Sequence, residues 1–175
     1  MNKGFTLIEL MVCIAIVAIL SAVVFVSFRG GEERLSLQRS IYILAQDLRR
    51  AQEMALAATE QEGGVPQGGY GIYFSDEQKK QYVFFADKDG DGQKDSGEEF
   101  EVIKLPKKIE LAGNSLYWNI LTIIFRPPDP TTIVGNAAGP STQSQVTIFL
   151  RQEGGVCPDD CQGVNVNTAG RIEIE

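Results

Sequence analysis

Residues 87–98 read D-K-D-G-D-G-Q-K-D-S-G-E. This is the full ligand spacing of a calcium loop, D-x-[DN]-x-[DN]-G-x5-E. Asp87, Asp89 and Asp91 take its positions one, three and five, and Gly92 supplies the sharp turn. Gln93 offers a backbone carbonyl, Asp95 an oxygen used directly or through water, and Glu98 two oxygens to close the shell. Ca²⁺ accepts roughly six to eight oxygens from a flexible anionic loop. Five acidic side chains this close repel one another without a cation. The flanks YVFFA and EFEVIKL read as strands, so this is not a helix–loop–helix hand. Lys94 also stands where such a hand carries an apolar residue. The competing reading is a solvated Asp/Gly turn between two strands. The complete ligand spacing favours calcium, in a role that braces the hairpin.

Other chemistry is sparse. The chain has 175 residues, net charge −7 and no histidine. Without histidine the commonest general base and metal ligand are gone, and no Ser/His/Asp set can be drawn. The chain does not read as an enzyme, and no organic cofactor is expected. Cys157 and Cys161 form C-P-D-D-C, a spacing that suits a small disulfide loop in an oxidising compartment. A zinc site would need two more ligands, and only Cys13 remains. The acidic total also argues against a nucleic-acid footprint.

Glu9 is the odd carboxylate. It lies in the run Phe5–Phe28, 24 residues without Pro or Gly, where Thr6, Ser21 and Ser27 are the other clearly polar positions. As a helix this run is about 36 Å long, more than a hydrocarbon core of roughly 30 Å. It is too long, with too weak a cleavage site, for an ordinary secretory signal. An unpaired carboxylate in lipid is costly and usually functional. No Lys or Arg lies within two helical turns on its C-terminal side. The expected partner is an amino terminus, created by cleavage next to Phe5 and presented by another copy or a partner helix.

K-G-F-T-L-I-E-L, residues 3–10, resembles the class III signal peptide of type IV pilins and type II secretion pseudopilins. The resemblance implies that a prepilin peptidase cuts after Gly4, that Phe5 becomes N-methylated, and that Glu9 guides assembly by pairing with a neighbouring subunit's terminus. It implies a single-pass protein of the inner membrane, its head outside the cytoplasm. Partners would be other pilin or pseudopilin subunits, the peptidase and the inner-membrane assembly platform. The short basic leader fits the positive-inside rule.

The elements that carry these residues follow from periodicity. After Arg29-Gly30-Gly31, where the glycines would kink or soften the join, apolar residues recur at Leu37, Ile41, Leu44, Leu48, Ala51, Ala55 and Ala58. Steps of three and four predict an amphipathic helix. Gln38, Arg39, Asp47, Arg49, Arg50 and Glu53 fall on its opposite face, and Gly63-Gly64 mark its end. Beyond Pro66, YGIYF, QYVFFA, EFEVIKL, ILTIIF, VTIFLR, VNVN and RIEIE predict short strands. The last, with alternating charge and Ile, would be half exposed. Residues 127–145, rich in Pro, Gly, Ser and Thr, read as a mobile loop.

The expected fold is α+β. A hydrophobic transmembrane helix continues into an amphipathic helix packed on a C-terminal antiparallel sheet. Its divisions are a leader at 1–4, the membrane and assembly helix at 5–28, the joining helix at 29–62 and a β-rich head at 63–175. The stretches ILAQDLRRAQEMALA, GYGIYF, IIFRPPD and VNVNTAGRIEI resemble H-type minor pseudopilins and related minor pilins. The resemblance implies a minor structural subunit of a type IV pilus or type II secretion pseudopilus. The alternative, a DNA-binding minor pilin in DNA uptake, is disfavoured by the acidic charge and by Glu173 and Glu175 beside Arg171.

Overall fold

The computed structural model describes residues 4, 6–61, 64–127 and 131–175, with backbone alone for 23–31. The chain divides into two compact units, Met1–Leu35 and Ser36–Glu175. One helix, α1, runs Leu7–Leu56 and includes Gly30 and Gly31 without a break.

In the first unit the side chains from Leu10 to Leu20 form an apolar surface on every side. Leu7, Ile8, Met11, Ile14, Val17 and Ile19 are all more than 60 % exposed. Ser21 folds its hydroxyl onto the helix, donating to the carbonyl of Val17 at 2.7 Å. Among the described residues no helix is long and apolar enough to cross a membrane. Side chains are not described for residues 23–31, so the expected span over 5–28 lies partly outside those described.

In the second unit the C-terminal part of α1 buries one stripe. Leu37, Ile41, Leu44, Leu48, Ala51 and Ala55 are at most 5 % exposed, joined by Ala45. Ala58 does not belong to the stripe, because the helix stops before the expected Gly63-Gly64. It ends at Leu56, where Thr59 N–H donates to the Met54 carbonyl at 3.1 Å and Ala58 N–H to Ala55 at 3.1 Å. This is a Schellman closure with Ala58 in the left-handed position, φ 44°. Alanine there carries no glycine signal, which is why periodicity alone overruns the end.

All strand pairings within the two sheets are antiparallel. The strands are β1 (Gly69–Ser75), β2 (Gln81–Asp87), β3 (Glu99–Lys104), β4 (Ile109–Asn114), β5 (Ile120–Arg126), β6 (Thr131–Asn136), β7 (Gly139–Pro140), β8 (Gln145–Gln152), β9 (Cys161–Asn167) and β10 (Ile172–Ile174). A six-stranded sheet has the order β3-β2-β1-β5-β6-β7, and a four-stranded sheet the order β10-β9-β8-β4. Each strand read from the sequence is present. Ile172 and Ile174 of the last are half-buried against the core, as alternation predicts. The reading of 127–145 as a loop is overturned: β6 and β7 lie within it. The short β-branched run T-T-I-V, set among Pro, Gly and Ser, pairs with β5 in a register running from Thr122↔Gly135 to Arg126↔Thr131.

The core is one cluster. Tyr70, Ile72 and Phe74 of β1, Tyr82 and Phe84 of β2, and Leu121, Ile123 and Phe125 of β5 meet the helix stripe and Val146, Ile148, Leu150, Val164 and Val166 of the second sheet. Alternation sends the intervening residues to the other face of the six-stranded sheet. Phe85, Ile124 and Thr122 lie there and are nonetheless buried. Residues 87–98 cover that face. Gly92 carbonyl accepts from Thr122 Oγ1 at 3.4 Å, Lys94 Nζ sits 5.5 Å from the Tyr73 ring centroid, and Gly92 packs against Pro140.

Candidate functional site

The acidic loop leaves β2 at Asp87 and re-enters β3 at Glu99, so the predicted hairpin is present. Asp87 is fully buried. Its Oδ1 accepts from Gly90 N–H at 2.6 Å and its Oδ2 from Gly92 N–H at 3.1 Å. Burial pushes its carboxyl above the ordinary aspartate value. The two backbone donors oppose this, while Glu98 and Asp89 add to it. Arg126 Nη2 stands 4.0 Å from Asp87 Oδ2 and donates to the Gly90 carbonyl at 3.1 Å.

One carboxylate oxygen from each of Asp87, Asp89 and Asp91 falls within 4.8 Å of the others. This is the part of the predicted ligand set that the fold brings together. Gln93 donates its N–H to Asp91 Oδ1 at 2.7 Å. Glu98 is buried and ties the loop to itself, its Oε1 accepting from Lys88 N–H at 2.7 Å and its Oε2 from Asp95 N–H at 2.9 Å. Neither Asp95 nor Glu98 joins the three-aspartate group. Lys94, out of place in an EF-hand, has a local reason: it pairs with Glu99 at 2.7 Å over Tyr73.

Two glycines let the loop close. Gly92 has φ 82°, and a Cβ on it would come within 2.6 Å of Pro140 Cγ. A Cβ on Gly68 would overlap the Asp87 carboxyl, 2.0 Å from its Cγ. Neither Gly68 nor Arg126 stands out in the sequence, because both reach Asp87 only through the pairing of β1 with β2 and β5.

At the other end of the chain Glu9 has a partner that was not expected. Thr6 N–H and Oγ1 both donate to Glu9 Oε2, at 2.9 and 2.7 Å, and Glu9 N–H donates back to Thr6 Oγ1 at 3.3 Å. This is a capping box, and T-L-I-E ahead of an apolar run is its signature. Glu9 therefore meets hydrogen-bond donors within its own chain. Gly4 is exposed, while Phe5 lies outside the described residues. Cys157 and Cys161 form the disulfide, Cα atoms 5.2 Å apart. Cys13 is exposed on the apolar helix.

The helix–sheet seam holds a second polar group. Tyr82 hydroxyl donates to Asp47 Oδ2 at 2.5 Å. Burial raises the Asp47 carboxyl above its ordinary value. Tyr82 and Arg50 oppose the shift, and Glu101 adds to it. Arg50 pairs with Glu101 at 2.7 Å, its guanidinium carbon 5.1 Å from the Phe84 ring centroid. These contacts hold helix to sheet.

Residues 1–25 match the family model described as the prokaryotic N-terminal methylation motif. The fold is similar to the type IV minor pilin FimU of Pseudomonas aeruginosa strain PAO1. One of its crystal structures gives a TM-score of 0.53 at 14 % identity, covering 82 % of this chain and 90 % of that one. A second crystal form gives 0.50 at 14 % identity, covering 79 % and 92 %. No curated protein matches the chain. In its N-terminal motif and in its fold the chain is type IV pilin-like.

Proposed function

We propose that this chain is a minor structural subunit of a type IV pilus or related secretion pseudopilus. The observation that carries the reading is the methylation motif over residues 1–25 ahead of a pilin-like fold. A prepilin peptidase removes Met1–Gly4 and Phe5 is N-methylated. The apolar helix holds the subunit in the inner membrane, head outside the cytoplasm, until the assembly platform extracts it into the filament. The surface of Leu7–Leu20, apolar all round except at Glu9, supports this: it suits lipid first and neighbouring helices afterwards. Glu9 is the assembly group, exchanging its bonds to Thr6 for a neighbour's amino terminus.

In the head, Asp87, Asp89 and Asp91 hold Ca²⁺. The chemistry of the donor set supports this, being all-oxygen, anionic and anchored by one buried carboxylate. The ion would brace the loop over the sheet. DNA binding is the poorer reading at net charge −7. Co-expression with a prepilin peptidase, followed by mass spectrometry, tests the main proposal. Loss of Met1–Gly4 with one added methyl group is expected, and an intact leader overturns it.

A further inference from the structure

A cleft of about 480 Å³ opens where the β4–β5 turn meets the disulfide loop. That is the size range of small-molecule sites. Tyr117, Trp118, Phe149 and Pro158 give it an aromatic and apolar lining, and Asp76 and Asn114 add polar groups. None of these residues belongs to the acidic loop or to the apolar helix.

Tyr117 is the informative residue. Its side chain is 93 % exposed, and its backbone has φ 56°, a conformation that bulky L residues resist. The turn imposes it. Asn114 Oδ1 accepts the N–H groups of Leu116 and Trp118 at 3.1 and 3.2 Å, and Asn114 Nδ2 donates to the Trp118 carbonyl at 2.8 Å. Glycine would suit this backbone better, and the Tyr117 ring contributes almost nothing to the core. Strain of this kind, kept for the sake of a side chain, points to a functional position. Asp76 adds an exposed carboxylate to the lining.

We propose that this cleft binds a neutral sugar ring. Such a ring has an apolar C–H face and an edge of hydroxyls. The face stacks on Tyr117 and Trp118, and the hydroxyls donate to the Asp76 carboxylate and accept from Asn114. An anionic ligand would be repelled by Asp76. An extended peptide is disfavoured as well. β4 is an edge strand, but its register shifts between Leu111 and Gly113, and a bulge interrupts the ladder that strand addition needs.

Trp118 is the single tryptophan of the chain, so its emission reports on the cleft directly. The full chain, in a detergent without a sugar headgroup, is titrated with glucose, galactose, mannose, N-acetylglucosamine and their short oligomers. A saturable shift in Trp118 emission with at least one of them is expected. A response to monomers indicates a free sugar, and a response to oligomers alone indicates a glycan chain. Tyr117→Gly should weaken binding by about tenfold or more without lowering the melting temperature, and Asp76→Asn should weaken it as well. The proposal is overturned if no sugar gives a saturable response, or if Tyr117→Gly binds as tightly as the parent. A response to an arginine amide but to no sugar also overturns it, and would assign the cleft to a cationic side chain.

Discussion

Glu9 Oε2 accepts two hydrogen bonds from Thr6, one from its N–H and one from its hydroxyl, and Glu9 returns a third from its own N–H. A carboxylate read from the sequence as awaiting a cation is thus held within its own chain as a helix cap. The two roles are separable. Glu9→Gln keeps an acceptor at the capping position but loses the charge, whereas Thr6→Ala loses the cap but keeps the charge. If charge pairing drives assembly, Glu9→Gln should abolish incorporation into filaments while Thr6→Ala weakens the helix start by about 1 kcal/mol and still assembles. Incorporation is scored on sheared filaments. Normal assembly of Glu9→Gln would leave Glu9 a cap only.

Calcium should raise the melting temperature. A ligand held by the folded state alone stabilises it by about 2.7 kcal/mol at a hundred times its Kd. Scanning calorimetry with millimolar Ca²⁺ and with chelator should therefore differ. Asp89→Asn combined with Asp91→Asn should erase the difference, since both are exposed and tolerate the change. Identical melts for the parent protein, with no calcium found by metal analysis, would remove the site and leave a solvated turn closed by Arg126.

The loop's fit over the sheet predicts an order of damage. Gly90→Ala meets nothing closer than 3.8 Å, so it should cost only its positive-φ strain, about 1 kcal/mol. Gly92→Ala adds the approach to Pro140 and should cost more. Gly68→Ala overlaps the buried Asp87 carboxyl and should cost the most, about 2 kcal/mol or above. Urea denaturation of the three variants checks the ranking. Equal losses would mean that the loop is not seated on the sheet.

Asp47 makes stability depend on pH with an inverted sign for a carboxylate. Its folded-state pKa is raised, so the folded protein binds the proton more tightly than the unfolded chain does. Its ionisation therefore costs stability as pH rises from the unfolded value through the folded one. Relative to Asp47→Asn, the parent should gain stability as pH falls from neutral through that window. Asp47→Ala differs, because it strands the buried Tyr82 hydroxyl and should cost about 1–3 kcal/mol at every acidic or neutral pH. Parallel pH profiles for the parent and Asp47→Asn would contradict the shift.

Much of the architecture was legible before any coordinates. The helix stripe from Leu37 to Ala55, the strand runs and the disulfide pair all announce themselves through short-range periodicity or spacing. T-L-I-E does so too, its capping pattern overlaid by the charge that also suits Glu9 to an ion pair. β6 was missed although T-T-I-V is β-branched throughout, because the run is short and lies between P-P-D-P and G-N-A-A-G-P, whose turn residues dominate the local reading. The helix end was misplaced because Ala58 takes a left-handed conformation without the glycine that usually marks one.

The sequence by itself determined what neighbours along the chain can decide: a methylation motif, an apolar helix, an acidic loop with metal spacing, and strands alternating with turns. Only the tertiary structure decided which of those groups meet. It brought Asp87, Asp89 and Asp91 together but left Glu98 bonded to the loop's own backbone. It put Gly68 and Arg126 beside Asp87, laid the loop over Thr122 and Tyr73, and joined Tyr117 and Trp118 to Asp76 and Pro158 in one cleft. Those meetings depend on sheet register and on the packing of distant segments, where a shift of one residue turns every side chain to the other face.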